Sequence, residues 1–121
     1  MNNKNMYLLS YNTSLAYVDH KGNHPTQQPI RNMKDLDNMV RGGKIYTVEF
    51  DLRGRSWGHI VTAERGDDGK VRLYDPQSNK MIKNQEISKY LSKTRNIKIM
   101  DLTGYSMDEK FCDKIMKKVK R

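Results

Sequence analysis

Two residues that commonly work together in proton transfer lie in the middle of this sequence. His59 follows Gly58 at the start of one apolar segment, and Asp75 ends the next, where Pro76 and Gln77 follow it. A carboxylate bonded to one imidazole nitrogen fixes the tautomer and orientation of the ring, so the other nitrogen can accept a proton from a nucleophile. A thiol beside such a ring ionises readily and attacks an amide or acyl carbon. The spacing therefore predicts the His-Asp half of a Cys-His-Asp site.

The turn between the two segments decides whether this pair can meet. Residues Gly66 to Gly69 are a strong hairpin pattern. A three-residue loop with Gly69 in the left-handed conformation puts Val61 opposite Asp75. His59 and Asp75 then become diagonal neighbours on one face, roughly 7–8 Å apart at the backbone. A two-residue turn would place them on opposite faces of the sheet. The site hypothesis thus predicts the turn type.

Other residues around the pair have less specific predicted roles. Gln77 is a candidate donor to a developing oxyanion, or a residue that only orients the carboxylate. Trp57 shares the face of His59, where it either covers the site or packs in the core, and Gly58 is a second candidate binding residue. The single cysteine, Cys112, lies in a predicted helix and is expected to be a small apolar residue at the edge of the core. No nucleophile is therefore assigned.

The elements that would position the pair form an α+β fold, an antiparallel sheet flanked by helices on one side. Regular alternation from Lys44 to Arg53 predicts a half-buried strand, and helical spacing of apolar residues predicts the helices. Residues 1–121 are expected to form one domain, with 1–30 irregular and a loop over Asp19 to Pro29. The predicted elements are a helix over Asn32 to Arg41, strands over Lys44 to Arg53, Trp57 to Glu64 and Lys70 to Asp75, a short strand at Met81-Ile82, a helix over Gln85 to Ser92, a strand over Ile97 to Leu102 and a capped helix over Ser106 to Lys120.

Composition limits the class of protein. The 121 residues include 23 Lys and Arg against 14 Asp and Glu, a net charge of +9, and the mean hydropathy is −0.92. This balance favours acidic partners or nucleic acid. One cysteine excludes an internal disulfide. His20 and His24 have metal-ligand spacing, but Gly22 and Pro25 argue against a helix there, so neither a metal site nor a cofactor is predicted. No signal peptide or membrane span is recognised, and a protein that is cytoplasmic, or delivered by a phage or as an effector, is expected.

The block from Lys44 to Asn79 resembles a known family. The segments YTVEF, WGHIVTAE and VRLYDPQSNK are similar to the papain-like fold toxin domains found at the C-terminal ends of phage head-morphogenesis (minor capsid) proteins and in bacterial polymorphic toxins. Those domains carry Gly-His before an apolar strand and a strand ending in Asp-Pro-Gln or Asp-Gly-Gln. LAYVDHKGNHP and IKIMDLTG resemble further segments of the family, so the resemblance spans most of the chain.

The resemblance implies a cysteine hydrolase or deamidase site. His59 would be the general base, Asp75 would orient it, and Gln77 would be a nearby polar residue. The family's cysteine lies ahead of the segment that matches Leu15 to Pro25, where this chain has none. The chain is therefore expected to be inactive alone, with a partner chain supplying the missing segment, and a protein substrate, an immunity protein or a second copy as further partners. The alternative is a non-catalytic basic binding module for nucleic acid or a partner protein.

Overall fold

An antiparallel sheet with two helices forms the described part of the chain, which in this computed structural model comprises residues 13–52 and 58–108. Every strand pair is antiparallel, so the prediction of an α+β class is confirmed. The elements in chain order are a 3₁₀ turn (Thr13–Ala16), strands β1 (Tyr17–Val18) and β2 (Gln27–Pro29), helix α1 (Met33–Met39), strands β3 (Tyr46–Leu52), β4 (Gly58–Arg65), β5 (Val71–Asp75) and β6 (Lys80–Ile82), helix α2 (Asn84–Leu91), and strands β7 (Thr94–Asp101) and β8 (Ser106–Met107).

The core lies on one face of a six-stranded sheet with the order β2-β7-β3-β4-β5-β6. Side chains alternate between the two faces of a strand, and the apolar set of each central strand points to the same side. Both helices pack their apolar residues onto that side. The sheet contributes Val48, Phe50, Val61, Ala63, Val71, Leu73, Ile82 and Ile99, and the helices with their flanks contribute Leu36, Val40, Ile87 and Leu91.

The hairpin between β4 and β5 has the predicted three-residue loop. Its ladder runs from Thr62 opposite Tyr74 to Arg65 opposite Val71. Gly69 has φ +80°, the left-handed conformation that a loop of this length requires. The turn type that the site hypothesis predicted is therefore confirmed.

Arg65 ties this hairpin to helix α1. Its Nε donates to the Val40 carbonyl at 2.9 Å, and Nη1 donates to the Gly69 carbonyl at 2.6 Å. Nη2 donates to the Asp37 carbonyl and lies 3.3 Å from the Asp37 carboxylate. One guanidinium therefore joins the end of a helix to the turn that sets the hairpin register.

The predicted helix over Asn32 to Arg41 is present as α1. Asn32 is the N-cap, and its Oδ1 accepts a hydrogen bond of 2.9 Å from the Asp35 backbone N–H. The helix ends at Met39, and Gly43 follows with φ +77°. Strands β3 to β7 and helix α2 also lie within a few residues of the predicted ones, with β7 beginning three residues earlier at Thr94.

The prediction that β3 is half-buried is wrong. Thr47 and Glu49, on the face expected to meet solvent, are only 6% and 7% exposed. Strand β3 lies inside the sheet between β4 and β7, and the Gln27 side chain from β2 donates to the Glu49 carboxylate. The polar residues on this face are thus buried with partners.

The ends of the predicted topology also differ. The predicted helix over Ser106 to Lys120 is wrong at its start, because Ser106 and Met107 form β8 and pair with β1. The predicted loop over Asp19 to Pro29 ends in edge strand β2. The rest of that helix, with Cys112, and the segment from Arg53 to Trp57 lie outside the described residues. None of the helices within the described ranges has the length and apolar character needed to cross a membrane.

Candidate functional site

His59 and Asp75 meet on the helix-covered face of the sheet. Continuing the β4–β5 ladder places Val61 opposite Asp75, so His59 and Asp75 are diagonal neighbours on that face. Their side chains close the gap: His59 Nε2 lies 2.8 Å from Asp75 Oδ2. Both side chains are 11% exposed. A carboxylate only accepts, so Nε2 is the donor and Nδ1 carries the free lone pair of the neutral ring.

The Asp75 carboxylate is held by the turn that follows it. Its Oδ1 accepts from the Gln77 backbone N–H at 2.9 Å and from the Ser78 N–H at 3.4 Å. Burial by itself raises the pKa of the Asp75 carboxyl. The hydrogen bond and charge of His59, together with the two backbone donors, outweigh burial, so the pKa of Asp75 is lowered overall. The carboxylate is therefore ionised at neutral pH and polarises the imidazole.

An aromatic ring fixes the imidazole from the neighbouring strand. Phe50 pairs with His59 across the β3–β4 ladder, and the two ring centroids are 5.7 Å apart at an interplanar angle of 65°. The other side of Phe50 meets Tyr90 of α2 edge-on, at 5.8 Å and 86°. The orientation of His59 is thus set by Asp75 on one side and by a packed aromatic pair on the other.

Tyr90 brings helix α2 into the neighbourhood of the carboxylate. Burial raises the pKa of the Tyr90 phenol, and the negative charge of Asp75 raises it further. The sequence analysis assigned no site role to Phe50 or Tyr90. The pairing of alternate residues on β3 and β4 could have identified Phe50, but Tyr90 comes near only through the packing of α2 on the sheet.

The other predicted site residues have less distinct positions. The side chain of Gln77 is exposed, and its contact with the pair is made by the backbone N–H. Gly58 is the first residue of β4 and pairs with Asp51. Trp57 lies outside the described residues. The roles proposed for Gly58 and for the Gln77 side chain therefore stay predictions.

Metal-binding groups are dispersed in the part of the chain that the structure describes. Within it, no three His, Cys, Asp or Glu side chains are grouped so that they could hold an ion. His20 and His24 lie in an exposed loop, and His24 Nδ1 lies 2.8 Å from the Tyr17 carbonyl. What the described residues assemble is a charged hydrogen-bonded pair suited to acid–base chemistry.

Comparison with known proteins gives a partial match. Protein YopQ of Yersinia enterocolitica is 33% identical over 61 residues, which cover 50% of this chain and 31% of the Yersinia protein. The match thus spans about a third of the length of that relative. No family model matches the chain. The papain-like resemblance is not tested by this match and stays a prediction.

Proposed function

We propose that this chain carries the base half of a Cys-His-Asp site in a papain-like toxin or effector domain of the thiol protease or glutamine deamidase type. The observation that supports this proposal is the contact of 2.8 Å between His59 Nε2 and Asp75 Oδ2, whose carboxyl has a pKa lowered first by His59 and then by two backbone donors. The partial match to YopQ supports the broader idea of an effector.

The chemistry assigned to the pair is proton transfer through His59 Nδ1. Asp75 holds the proton on Nε2, so Nδ1 accepts the proton of an approaching thiol. The thiolate attacks the amide carbon, and the imidazolium returns the proton to the departing amine or ammonia as the carbon–nitrogen bond breaks. A water molecule, deprotonated by the same nitrogen, then releases the acyl group from sulfur. Asp75 balances the positive charge of the ring during each transfer.

The thiol comes from outside the described ranges, which contain no cysteine. In this proposal it belongs to a partner chain or to another segment, and the 121 residues alone hydrolyse no amide. The base half can still be tested separately, because a small thiol in solution can take the place of the missing nucleophile.

The test is acyl transfer from p-nitrophenyl acetate to added 2-mercaptoethanol at pH 7. The wild-type protein should accelerate this transfer at least about tenfold over His59→Asn, since a positioned general base contributes about 10²–10⁴ in a complete site. Asp75→Asn should lose most of that acceleration. His24→Asn is the matched control, because His24 is an exposed histidine in a loop, and it should behave as wild type. Equal rates for wild type and His59→Asn would reject the proposal.

A non-catalytic basic binding module for nucleic acid or a partner protein is the second candidate. The net charge of +9 favours it, since such a charge attracts phosphates and carboxylates over long distances. Binding to DNA that falls steeply with salt, together with a wild-type acyl-transfer rate no higher than that of His59→Asn, would favour this candidate.

A further inference from the structure

A cleft lies beside the His59–Asp75 pair, between α2 and the sheet. Its volume is about 590 Å³, within the roughly 300–1,000 Å³ of typical ligand clefts. Phe50, Leu52 and Ile82 of the sheet and Tyr90 of α2 provide its apolar surface. The cleft is therefore large enough for the side chain of a bound molecule, and its apolar lining favours an apolar side chain.

Two of the residues that line this cleft lie on the strands on either side of the His59–Asp75 pair. Phe50 of β3 lies directly opposite His59 of β4, and Lys80 of β6 lies directly opposite Asp75 of β5. Since the order is β3-β4-β5-β6, the two lining residues Phe50 and Lys80 flank the pair on either side. Neither His59 nor Asp75 lines the cleft, but Phe50 lines it and packs against the His59 ring, so the cleft is one aromatic ring away from the imidazole.

The rim of the cleft is positively charged. Lys80, Lys89 and Lys93 line it with one acidic residue, Glu86, whose carboxylate already accepts from the Lys83 backbone N–H. All three of these lysines are exposed, and no carboxylate in the described ranges lies within ion-pair distance of any of them. The rim therefore has a net positive charge above an apolar floor.

These features favour a peptide over a nucleic acid. Single-stranded nucleic acids stack their bases on exposed aromatic faces. Phe50 is buried and makes T-shaped contacts with His59 and Tyr90, so it offers no open face for a base. An apolar side chain of a peptide, by contrast, can pack on the floor of the cleft without stacking, and carboxylates of the adjacent peptide residues can reach the rim lysines.

We propose that this cleft binds an aromatic or large aliphatic side chain of a peptide segment whose neighbouring residues are acidic. The inference rests on the proposed function in one respect: the bound segment is the substrate whose acyl group is presented to His59. Binding itself requires no reaction and can be measured separately.

The probe is a fluorescein-labelled peptide, Glu-Asp-Phe-Glu-Asp, compared with the same peptide carrying Ser in place of Phe. At 0.15 M salt, fluorescence anisotropy should show that the Phe peptide binds at least tenfold more tightly than the Ser peptide. The single variants Lys80→Glu and Lys89→Glu should each bind the Phe peptide at least about threefold more weakly than wild type. Leu52→Ser, at a half-buried position in the cleft, should reduce the preference for Phe over Ser.

Lys70→Glu is the matched control, because Lys70 is an exposed lysine beside the hairpin loop, at the other end of β5 from Asp75. It should change the affinity less than twofold. If Lys70→Glu weakens binding as much as the cleft variants, the attraction is general and the inference fails. It also fails if the Phe and Ser peptides bind equally, or if single-stranded DNA competes more effectively than the Phe peptide.

The outcomes for the two proposals are separate. Selective binding of the Phe peptide without His59-dependent acyl transfer would remove the proposed function and leave a peptide-binding cleft. His59-dependent transfer without selective binding would support the proposed function and overturn the inference about the cleft.

Discussion

Replacing Asp75 with Asn should separate the charge of this residue from its hydrogen bonds. The Asn oxygen can still accept from the backbone N–H groups of Gln77 and Ser78, which hold Oδ1 in the wild type. What is lost is the charge-assisted bond of 2.8 Å to His59, between two side chains that are each 11% exposed. A bond of this kind contributes about 1.5–3 kcal/mol and a neutral one about 0.5–1.5 kcal/mol, so Asp75→Asn, which keeps a neutral bond to Nε2, should lose about 1 kcal/mol at pH 7.

The loss should depend on pH in a defined direction. Because the folded-state pKa of Asp75 is lowered from 3.8, its stabilisation is present above that value and disappears as pH falls through the folded pKa. Urea denaturation should therefore show a gap of about 1 kcal/mol between wild type and Asp75→Asn at pH 7 that closes towards pH 2. Asp67→Asn, at an exposed carboxylate in the hairpin loop, should change the free energy of unfolding by less than about 0.5 kcal/mol.

The same substitution should also change the tautomer of His59. With the Asn oxygen on the backbone donors, its NH₂ group faces Nε2, which must then accept and leave the proton on Nδ1. Two-dimensional ¹H–¹⁵N spectra of the neutral ring distinguish the two forms. This account of the pair would be refuted if His59 had the same tautomer in wild type and Asp75→Asn. It would also be refuted if the stability gap did not change between pH 7 and pH 2.

Three further predictions concern the surroundings of the site. Arg65→Ala should cost about 2–3 kcal/mol in urea denaturation, because it removes several hydrogen bonds to backbone carbonyls, and Arg65→Lys should recover less than half of it. Burial and the charge of Asp75 raise the pKa of Tyr90. The free energy of unfolding of the wild type should therefore fall as pH rises from about 10 through the folded pKa, and Tyr90→Phe should show a flatter profile. Identical profiles would contradict this. Gly69→Ala should lose about 1–2 kcal/mol to backbone strain at φ +80°, whereas Gly42→Ala, with open space around it and no positive φ, should be neutral or slightly stabilising.

Local chemistry explains which parts of the fold could be predicted. The residues of the β4–β5 loop predicted a hairpin but allowed a two- or a three-residue turn, and only the expected contact between His59 and Asp75 selected the three-residue turn that the structure has. Helix α1 was predictable from its own residues, since its cap and apolar spacing lie within ten residues.

The errors concern contacts between distant segments. Ser106 has the pattern of a helix N-cap, but pairing with β1, nearly ninety positions earlier, makes it part of a strand. The burial of Thr47 and Glu49 depends on which strands flank β3, and this cannot be read from β3 itself. The cleft beside the pair likewise exists only because α2 packs against the sheet, so Tyr90 and the rim lysines carried no recognisable pattern.

The backbone hydrogen bonds to the Asp75 carboxylate affect how related proteins can be found. The donors of these hydrogen bonds are the peptide N–H groups at positions 77 and 78, which almost any amino acid other than proline supplies. Substitutions in this loop could therefore erase the Asp-Pro-Gln signature and still leave the hydrogen bonds to the Asp75 carboxylate intact. Proteins with the same dyad could go undetected by motif searches, and a template built from the imidazole, the carboxylate and two amide nitrogens would be a better query.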